Sequence, residues 1–450
     1  MSRKRYCIVG TGIRAFNFMT PMVSLYREHC ALVGLCDLNP ARMAHYNAVL
    51  QQEHSHPAVP TYHPDQFERM LQEQRPDCVI VVSKDSTHHE YIVKAVRAGC
   101  EVVTEKPMTI DAAKCRQILE AVQETRGRVR VAFNYRWSAH RTRVRELLAA
   151  GTIGQVRSVN LEYLLNTAHG ADYYHRWHAT MAESGGLLVH KSTHHFDLVN
   201  WWLDAIPEEV VAYGQLDYYG RANAVARGDE ALTRYDRYTN EPAAARDPFA
   251  YDLARDPQGA SLYLQAEAHD GYIRDRNVFR DGIDIYDNMG ALVRYRTGVL
   301  LNYSLVSFSP REGMRVTCNG DRGRLEYCEW AATDLRAEDG SRGAGAPAGS
   351  EFDAANERLL VYPHFRPSYE VQVTRYSGGH DGGDPKLTEQ IFSPSAPADP
   401  YGRHAGHEQG AASILVGIAA NQSIASGHVP VRIADLVNLK PGATRLSELV

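Results

Sequence analysis

A glycine-rich turn at the end of the first apolar run constrains this chain most. Arg5–Gly10 has the composition of a buried strand, and Gly10-Thr11-Gly12-Ile13-Arg14-Ala15 follows at once, opening a helical pattern over Ile13–His29. Each small residue in such a turn has a task. Gly10 permits the tight bend, Gly12 lets a pyrophosphate approach the backbone, and Ala15 lets the helix pack closely on the strand. The free N–H groups at the helix start, those of Ile13 and Arg14 among them, then favour an anion.

The same grammar continues to about residue 135. Ala31–Asp37, Cys78–Ser83, Glu101–Thr104 and Val129–Phe133 read as strands; Arg42–Glu53, Pro64–Gln74, His88–Ala98 and Asp111–Glu124 read as helices. Buried strands alternating with helices predict a parallel, doubly wound sheet, here a Rossmann domain over residues 1–135. Asp37 ends the second strand. A carboxylate there accepts hydrogen bonds from the adenosine ribose and repels a 2′-phosphate, so NAD is favoured over NADP. Arg42 nearby is the one residue that argues the other way. The competing role for Asp37 is a helix cap before Asn39-Pro40.

Beyond residue 135 strand-like runs follow one another with few helices between: Val156–Leu164, Val210–Leu216, Ala291–Tyr295, Leu300–Val306, Arg315–Cys318 and Leu325–Tyr327. That succession predicts a second, α+β domain over 136–450 with an open, mostly antiparallel sheet. An insertion is expected over about 221–290 and a mobile, Gly/Ala/Ser-rich loop over about 333–356. Gln409–Ser426 is apolar at helical spacing and should pack back on the body.

The balance of 49 basic against 54 acidic side chains leaves no basic footprint for nucleic acid. No run approaches the roughly 20 apolar residues of a membrane span. The eight cysteines form no C-x-x-C pair, which fits buried thiols in a reducing cytoplasm. These features point to a cytoplasmic protein with a small-molecule partner.

Four segments in order resemble the glucose–fructose oxidoreductase, inositol dehydrogenase and rhizopine-catabolism (Gfo/Idh/MocA) family. They are Gly10–Ala15; Ser83-Lys-Asp-Ser-Thr-His88, where the family has Thr-Pro-Asn and then His; Glu105-Lys106-Pro107; and the glycine-rich stretch from Ser184 through His190, Lys191, His194, His195 and Asp197. The resemblance implies hydride transfer between NAD and a sugar, glycoside or cyclitol, in a homodimer or homotetramer. It makes Lys106 and His194 catalytic. Ser83, His88, Glu105 and Asn134 fall on the cofactor side, with Arg136 at the cofactor or the domain junction.

Oxidising an alcohol needs a base for the hydroxyl proton and a cation for the developing alkoxide, tasks that suit His and Lys. Where the family carries an acid four residues before the catalytic His, this chain has His190. On that reading two imidazoles could share a proton with no carboxylate beside them. Tyr173, Tyr174, Arg176, Trp177, Lys191 and His195 suggest an aromatic and cationic sugar site. The segments Asp270–Asn277 and Gly379–Asp384 are further candidates for its wall. His190 and His194 also have the i, i+4 spacing of a metal-binding pair, which His380 or His407 could complete. Hydride transfer requires no metal, and none is expected. Two other functions remain open: a redox-neutral glycosidase that oxidises, eliminates and reduces again, and a non-catalytic nucleotide sensor.

Overall fold

The apolar runs of the first third pair as a parallel sheet. In the computed structural model, which describes residues 3–331 and 352–449, β1 (Lys4–Val9), β2 (Cys30–Cys36), β3 (Thr61–Tyr62), β4 (Cys78–Val81), β5 (Glu101–Thr104) and β6 (Val129–Val131) lie in the order β6-β5-β4-β1-β2-β3. Strand order reverses at β1–β4, where Val9 stands opposite Val81. Ligands bind in the crevice outside the carboxyl ends at such a reversal. Tyr6, Cys7, Ile8 and Val9 are all buried, which explains the unbroken apolar run of β1.

Helix starts follow local chemistry. Asn39 accepts from the N–H groups of Ala41 and Arg42 and caps the Pro40–His54 helix, with Pro40 at its first position. Asn39, not Asp37, is therefore the cap. Asp111 caps Ala112–Thr125 in the same way. The first helix is shorter than its pattern predicts. It runs over Phe16–Val23 and not to His29. The chain leaves it with Tyr26 N–H bonded to the Pro21 carbonyl and the Tyr26 ring against Phe392, so a tertiary contact ends the helix early.

The second sheet contains β7 (Val156–Asn166), β8 (Pro207–Gln215), β9 (Asn288–Tyr295), β10 (Leu300–Ser309), β11 (Gly313–Gly320), β12 (Gly323–Ala331), β13 (Phe352–Pro363) and β14 (Tyr369–Glu370). The two-residue β15 (Ala405–Gly406) pairs antiparallel with β6 in the first sheet, and β16 (Val431–Arg432) completes the second, whose order is β14-β13-β12-β11-β7-β10-β9-β8-β16. Neighbours are antiparallel except β7 and β10, which run parallel. Burial alternates along β10, so one face forms a core. The expected mobile loop lies outside the described residues over 333–351, and its last residues, 352–356, belong to β13.

The helices Ser192–Leu203 and His407–Ala425 pack on each other, and the latter covers β8. His407–Ala425 is buried along most of its length, as its apolar spacing predicts. It crosses the Leu187–His190 turn so closely that a Cβ on Gly417 would lie 2.1 Å from the Leu188 carbonyl oxygen. This crossing fixes the segment carrying His190.

Candidate active site

The carboxyl ends of β1, β2, β4, β5 and β6 open onto one cleft of about 3170 Å³, closed from the other side by residues of the second domain. That is several times the roughly 300–1,000 Å³ of a single-ligand pocket. Gly10, Gly12, Ile13 and Arg14 line one end, with Asp37 and Arg42 beside them. Gly10 holds φ at +90°, and a Cβ there would lie 2.5 Å from the Val82 carbonyl oxygen, so glycine alone keeps the turn. Asp37 accepts from Thr11 N–H (2.6 Å), Thr11 Oγ1 (2.9 Å), Asn39 N–H (2.8 Å) and Arg42 (3.2 Å). These features fit a dinucleotide, its pyrophosphate at the turn and its ribose beside Asp37.

The cleft narrows onto a ring of basic groups. Lys106 follows β5, and its Nζ lies 3.4 Å from the His190 carbonyl oxygen. Burial, opposed by Glu105 and Asp85, brings the Lys106 ammonium down to about 8. Glu105 accepts from the Lys106 N–H and pairs with Arg14 at 2.6 Å. Arg14 in turn reaches Asp384, which also accepts from Asn134 at 2.8 Å and bonds His380 at 2.7 Å. Burial and the Lys106 charge hold both His190 and His194 well below the usual imidazole range. The His194 ring stacks on Tyr135 at 4.0 Å, and its Nδ1 is buried without a hydrogen-bond partner.

His190 does have a carboxylate. Its Nδ1 lies 2.5 Å from Asp85 Oδ2, an acid contributed by the loop after β4. Burial pushes the Asp85 carboxyl well up, against the pull of Lys106. Imidazole nitrogen and carboxylate oxygen face each other at hydrogen-bond distance in a buried setting. The expectation of an imidazole without an acid is thus corrected. The acid comes from the Rossmann domain and not from four residues before His194. A signal was present in the sequence: Asp85 stands where the family pattern has Asn, and His190 where it has Asp.

Several expected site residues lie elsewhere. Arg136 is buried and makes a two-pronged pair with Asp197, the nearer contact being 2.6 Å, and bonds Gln409; it joins segments and does not line the cleft. Asp197 is accordingly not a solvent-facing helix residue. Tyr174 points away, its hydroxyl on Ser307 and Tyr286 and its ring on Tyr219. His195 is fully buried, with Nδ1 on the Tyr303 hydroxyl and its ring on Tyr163. Ala15 packs in the core behind the turn. His88 lines the cleft, but both its nitrogens meet the carbonyls of Pro107 and Ser83, so it braces the loop carrying Lys106.

Lys191, Tyr173, Arg176 and Trp177 do line the cleft, along with Ser83. Lys191 donates to Tyr135, and Arg176 is held by Asp172. Parts of both secondary segments, Tyr272 and Arg274 in one and His380 and Asp381 in the other, also face it. Sequence reasoning missed His178, stacked on Trp177 and edge-on to His190, and the His169–Glu312 pair at 2.7 Å. No motif announces either. His380 is bonded to Asp384, and His407 does not line the cleft. Among the described residues one three-ligand group, His140, Glu357 and Asp381, has its ligand atoms within 4.8 Å, but its Glu357 carboxylate already pairs with Arg375.

Comparison with known proteins agrees with this architecture. Residues 4–133 match the model of an oxidoreductase family's NAD-binding Rossmann fold, and residues 145–433 match that family's C-terminal alpha/beta domain. The chain is 36% identical to YteT of Bacillus subtilis (strain 168), named only as an oxidoreductase, over 97% of this chain and 99% of that one. It is 32% identical to the inositol 2-dehydrogenase of Rhizobium meliloti (strain 1021), over 30% of this chain and 39% of that one. The fold is also that of the WlbA dehydrogenase of Bordetella pertussis, solved with NADH and UDP-GlcNAcA, at TM-score 0.60 and 16% identity over 96% and 99% of the two chains. With both of its domain models matched in order, this chain belongs to the Gfo/Idh/MocA oxidoreductase family.

Proposed function

We propose that the chain moves a hydride between NAD and a hydroxyl carbon of a sugar, glycoside or cyclitol. The observation that carries this reading is the Asp85–His190 pair beside Lys106, in the same cleft as the Gly10–Gly12 turn. When bound at that turn, NAD supplies the hydride acceptor. The remaining chemistry belongs to the side chains. With its Nδ1 hydrogen directed at Asp85, His190 keeps the Nε2 lone pair for the hydroxyl proton, and the carboxylate stabilises the imidazolium that results. The Lys106 ammonium stabilises negative charge growing on the oxygen. His194, held flat on Tyr135, orients the neighbouring hydroxyl. Trp177 and Tyr173 offer aromatic faces to the ring, and Lys191 and Arg176 offer donors to its hydroxyls.

NAD is the expected form because Arg42 is held between Asp37 and Asp270 and is not free for a 2′-phosphate. NADP should bind at least ~30-fold more weakly than NAD, since a like-charge contact costs several kcal/mol. Asp37→Asn, which keeps an acceptor and removes the charge, should narrow that gap about tenfold. Fluorescence titration with both cofactors checks this, and equal affinities in the unaltered protein would overturn it.

The reading as a whole is tested by incubating the protein with NAD and a panel of inositols, free sugars and aryl glycosides, following NADH and aglycone together. A rise of NADH with one polyol class supports it. Aglycone release with flat NADH shifts the reaction to the redox-neutral form of the same chemistry. Nucleotide binding without turnover of any class, unchanged by Lys106→Ala, would point to a sensor.

A further inference from the structure

We propose that His140, Glu357 and Asp381 form a structural site for a divalent transition-metal ion of the Zn²⁺ class, which ties three segments together at the wall of the cleft. Hydride transfer still requires no metal, and this ion takes no part in it.

The three side chains come from parts of the chain far apart in sequence. His140 is in the first turn of the Ala139–Ala149 helix, which Ser138 caps. Glu357 is in β13. Asp381 faces the cleft just before the Gly383–Phe392 helix. One ligand atom from each lies within 4.8 Å of the other two. Ligand atoms held at about 2.0–2.2 Å by a tetrahedral ion stand about 3.4 Å apart. His140 Nδ1 and Glu357 Oε1 are already 2.9 Å apart, so only the Asp381 side has to close in.

The orientation of these atoms points to a shared cation. His140 is 6% exposed. Among the described residues neither its Nδ1 nor the buried Asp381 Oδ2 has a hydrogen-bond partner. Nδ1 faces Glu357 Oε1 at short range, yet without hydrogen-bond alignment. Buried acceptors left in that state are costly, and a cation among them removes the cost. Glu357 divides its two oxygens. Its Oε2 pairs with Arg375, and its Oε1 accepts from the Tyr327 hydroxyl at 3.1 Å and keeps a second lone pair. Partners of that kind orient a ligating carboxylate from behind.

The charges agree. Glu329, Glu357 and Asp381 bring three carboxylates to this region, and Arg141 and Arg375 bring two guanidinium groups. Arg141 pairs with Glu329 and Arg375 with Glu357. Arg141 and His140 also face Asp381, but burial and the Glu357 charge outweigh them and push its carboxyl up to about 6. One negative charge is left to balance. Either a proton on His140 or a metal ion supplies it. One imidazole nitrogen with two carboxylate oxygens suits Zn²⁺, whereas Mg²⁺ and Ca²⁺ take oxygen ligands alone.

The ion clamps a strained turn. His380 and Asp381 hold φ at +52° and +56°, a region costly for residues other than glycine. The same turn leads to Asp384, which holds Arg14 and Asn134. Fixing Asp381 therefore steadies the loop beside the glycine turn.

The test uses the full chain, stripped with a chelator and then dialysed against Zn²⁺, with bound metal measured by elemental analysis. A single Zn²⁺ per chain should bind, at least about tenfold more tightly than Mg²⁺, and should raise Tm by a few degrees. Asp381→Asn and, separately, His140→Gln should each weaken Zn²⁺ binding at least about tenfold and remove the rise in Tm. If His140→Gln does not fold, Asp381→Asn carries the comparison, because Asp381 Oδ2 has no hydrogen bond to lose among the described residues. Absence of stoichiometric binding would overturn the site and leave a protonated His140 beside Glu357. Equal Zn²⁺ affinity in Asp381→Asn would place the ion on other ligands and overturn it as well.

Discussion

Lys106→Met is expected to lower kcat/KM for alcohol oxidation by ~10²–10³-fold while NAD affinity changes less than about tenfold. Among charged groups the ammonium acts most strongly on both Asp85 and His190, and its Nζ lies 3.4 Å from the His190 carbonyl oxygen. Loss of a single preorganised charge at a developing oxyanion costs about 10²–10³-fold. Its pH dependence separates this role from simple packing. Burial brings Lys106 to about 8, so the cation is present below that pH and lost as pH rises through it. The oxidation rate should fall above about pH 8 for that reason. Lys106→Arg keeps a charge at every accessible pH but brings a planar fork in place of a compact ammonium. Its residual activity should be low and should no longer fall near pH 8. Stopped-flow turnover across pH 6–10 reads both effects, and a Lys106→Met enzyme within tenfold of the parent would remove Lys106 from the chemistry.

The first domain was legible because its signals are local. A glycine turn, five apolar runs and caps such as Asp111 each act within a few residues, whereas the two-residue β3 at the sheet edge gave no such signal. The end of the first helix was not legible, because the Tyr26–Phe392 contact that shapes it is made with a segment far along the chain. The same distinction divides the site. Lys106 and the glycine turn sit at strand ends, where topology alone brings them to the crevice. Arg136, Tyr174 and His195 carry suitable chemistry, yet each meets a partner inside the body: Asp197, Ser307 and Tyr303. Residue type cannot tell an inward rotamer from an outward one. Asp85 and His190 lie 105 residues apart, so their pairing appears only when the domains are assembled. The packing inside the insertion was not legible, for a compositional reason. Its aromatic residues are spaced widely among Ala, Arg and Asp, and they pack against other segments instead of forming a periodic face.

Asp85→Asn should lower kcat by ~10²-fold or more and move the acid side of the pH profile to lower pH. The carboxylate stabilises the imidazolium form of His190, so without it the imidazole protonates less readily, and the rise of oxidation rate with pH begins earlier. A purely structural loss would reduce the rate without moving that limb. His190→Asn should cost at least as much, since it removes the proton acceptor itself. The decisive variant combines Asp85→Asn with His190→Asp, which exchanges acid and neutral group between the two positions and reproduces the pattern of the family this chain belongs to. If the two residues act as one proton-holding unit, the double variant should exceed either single variant by about tenfold or more, because His194 then gains a carboxylate one turn away. Contacting residues that share a function deviate from additivity in this way. Strict additivity of the two losses, with no recovery in the double variant and an unshifted acid limb in Asp85→Asn, would separate the residues and leave His194 as the sole candidate base.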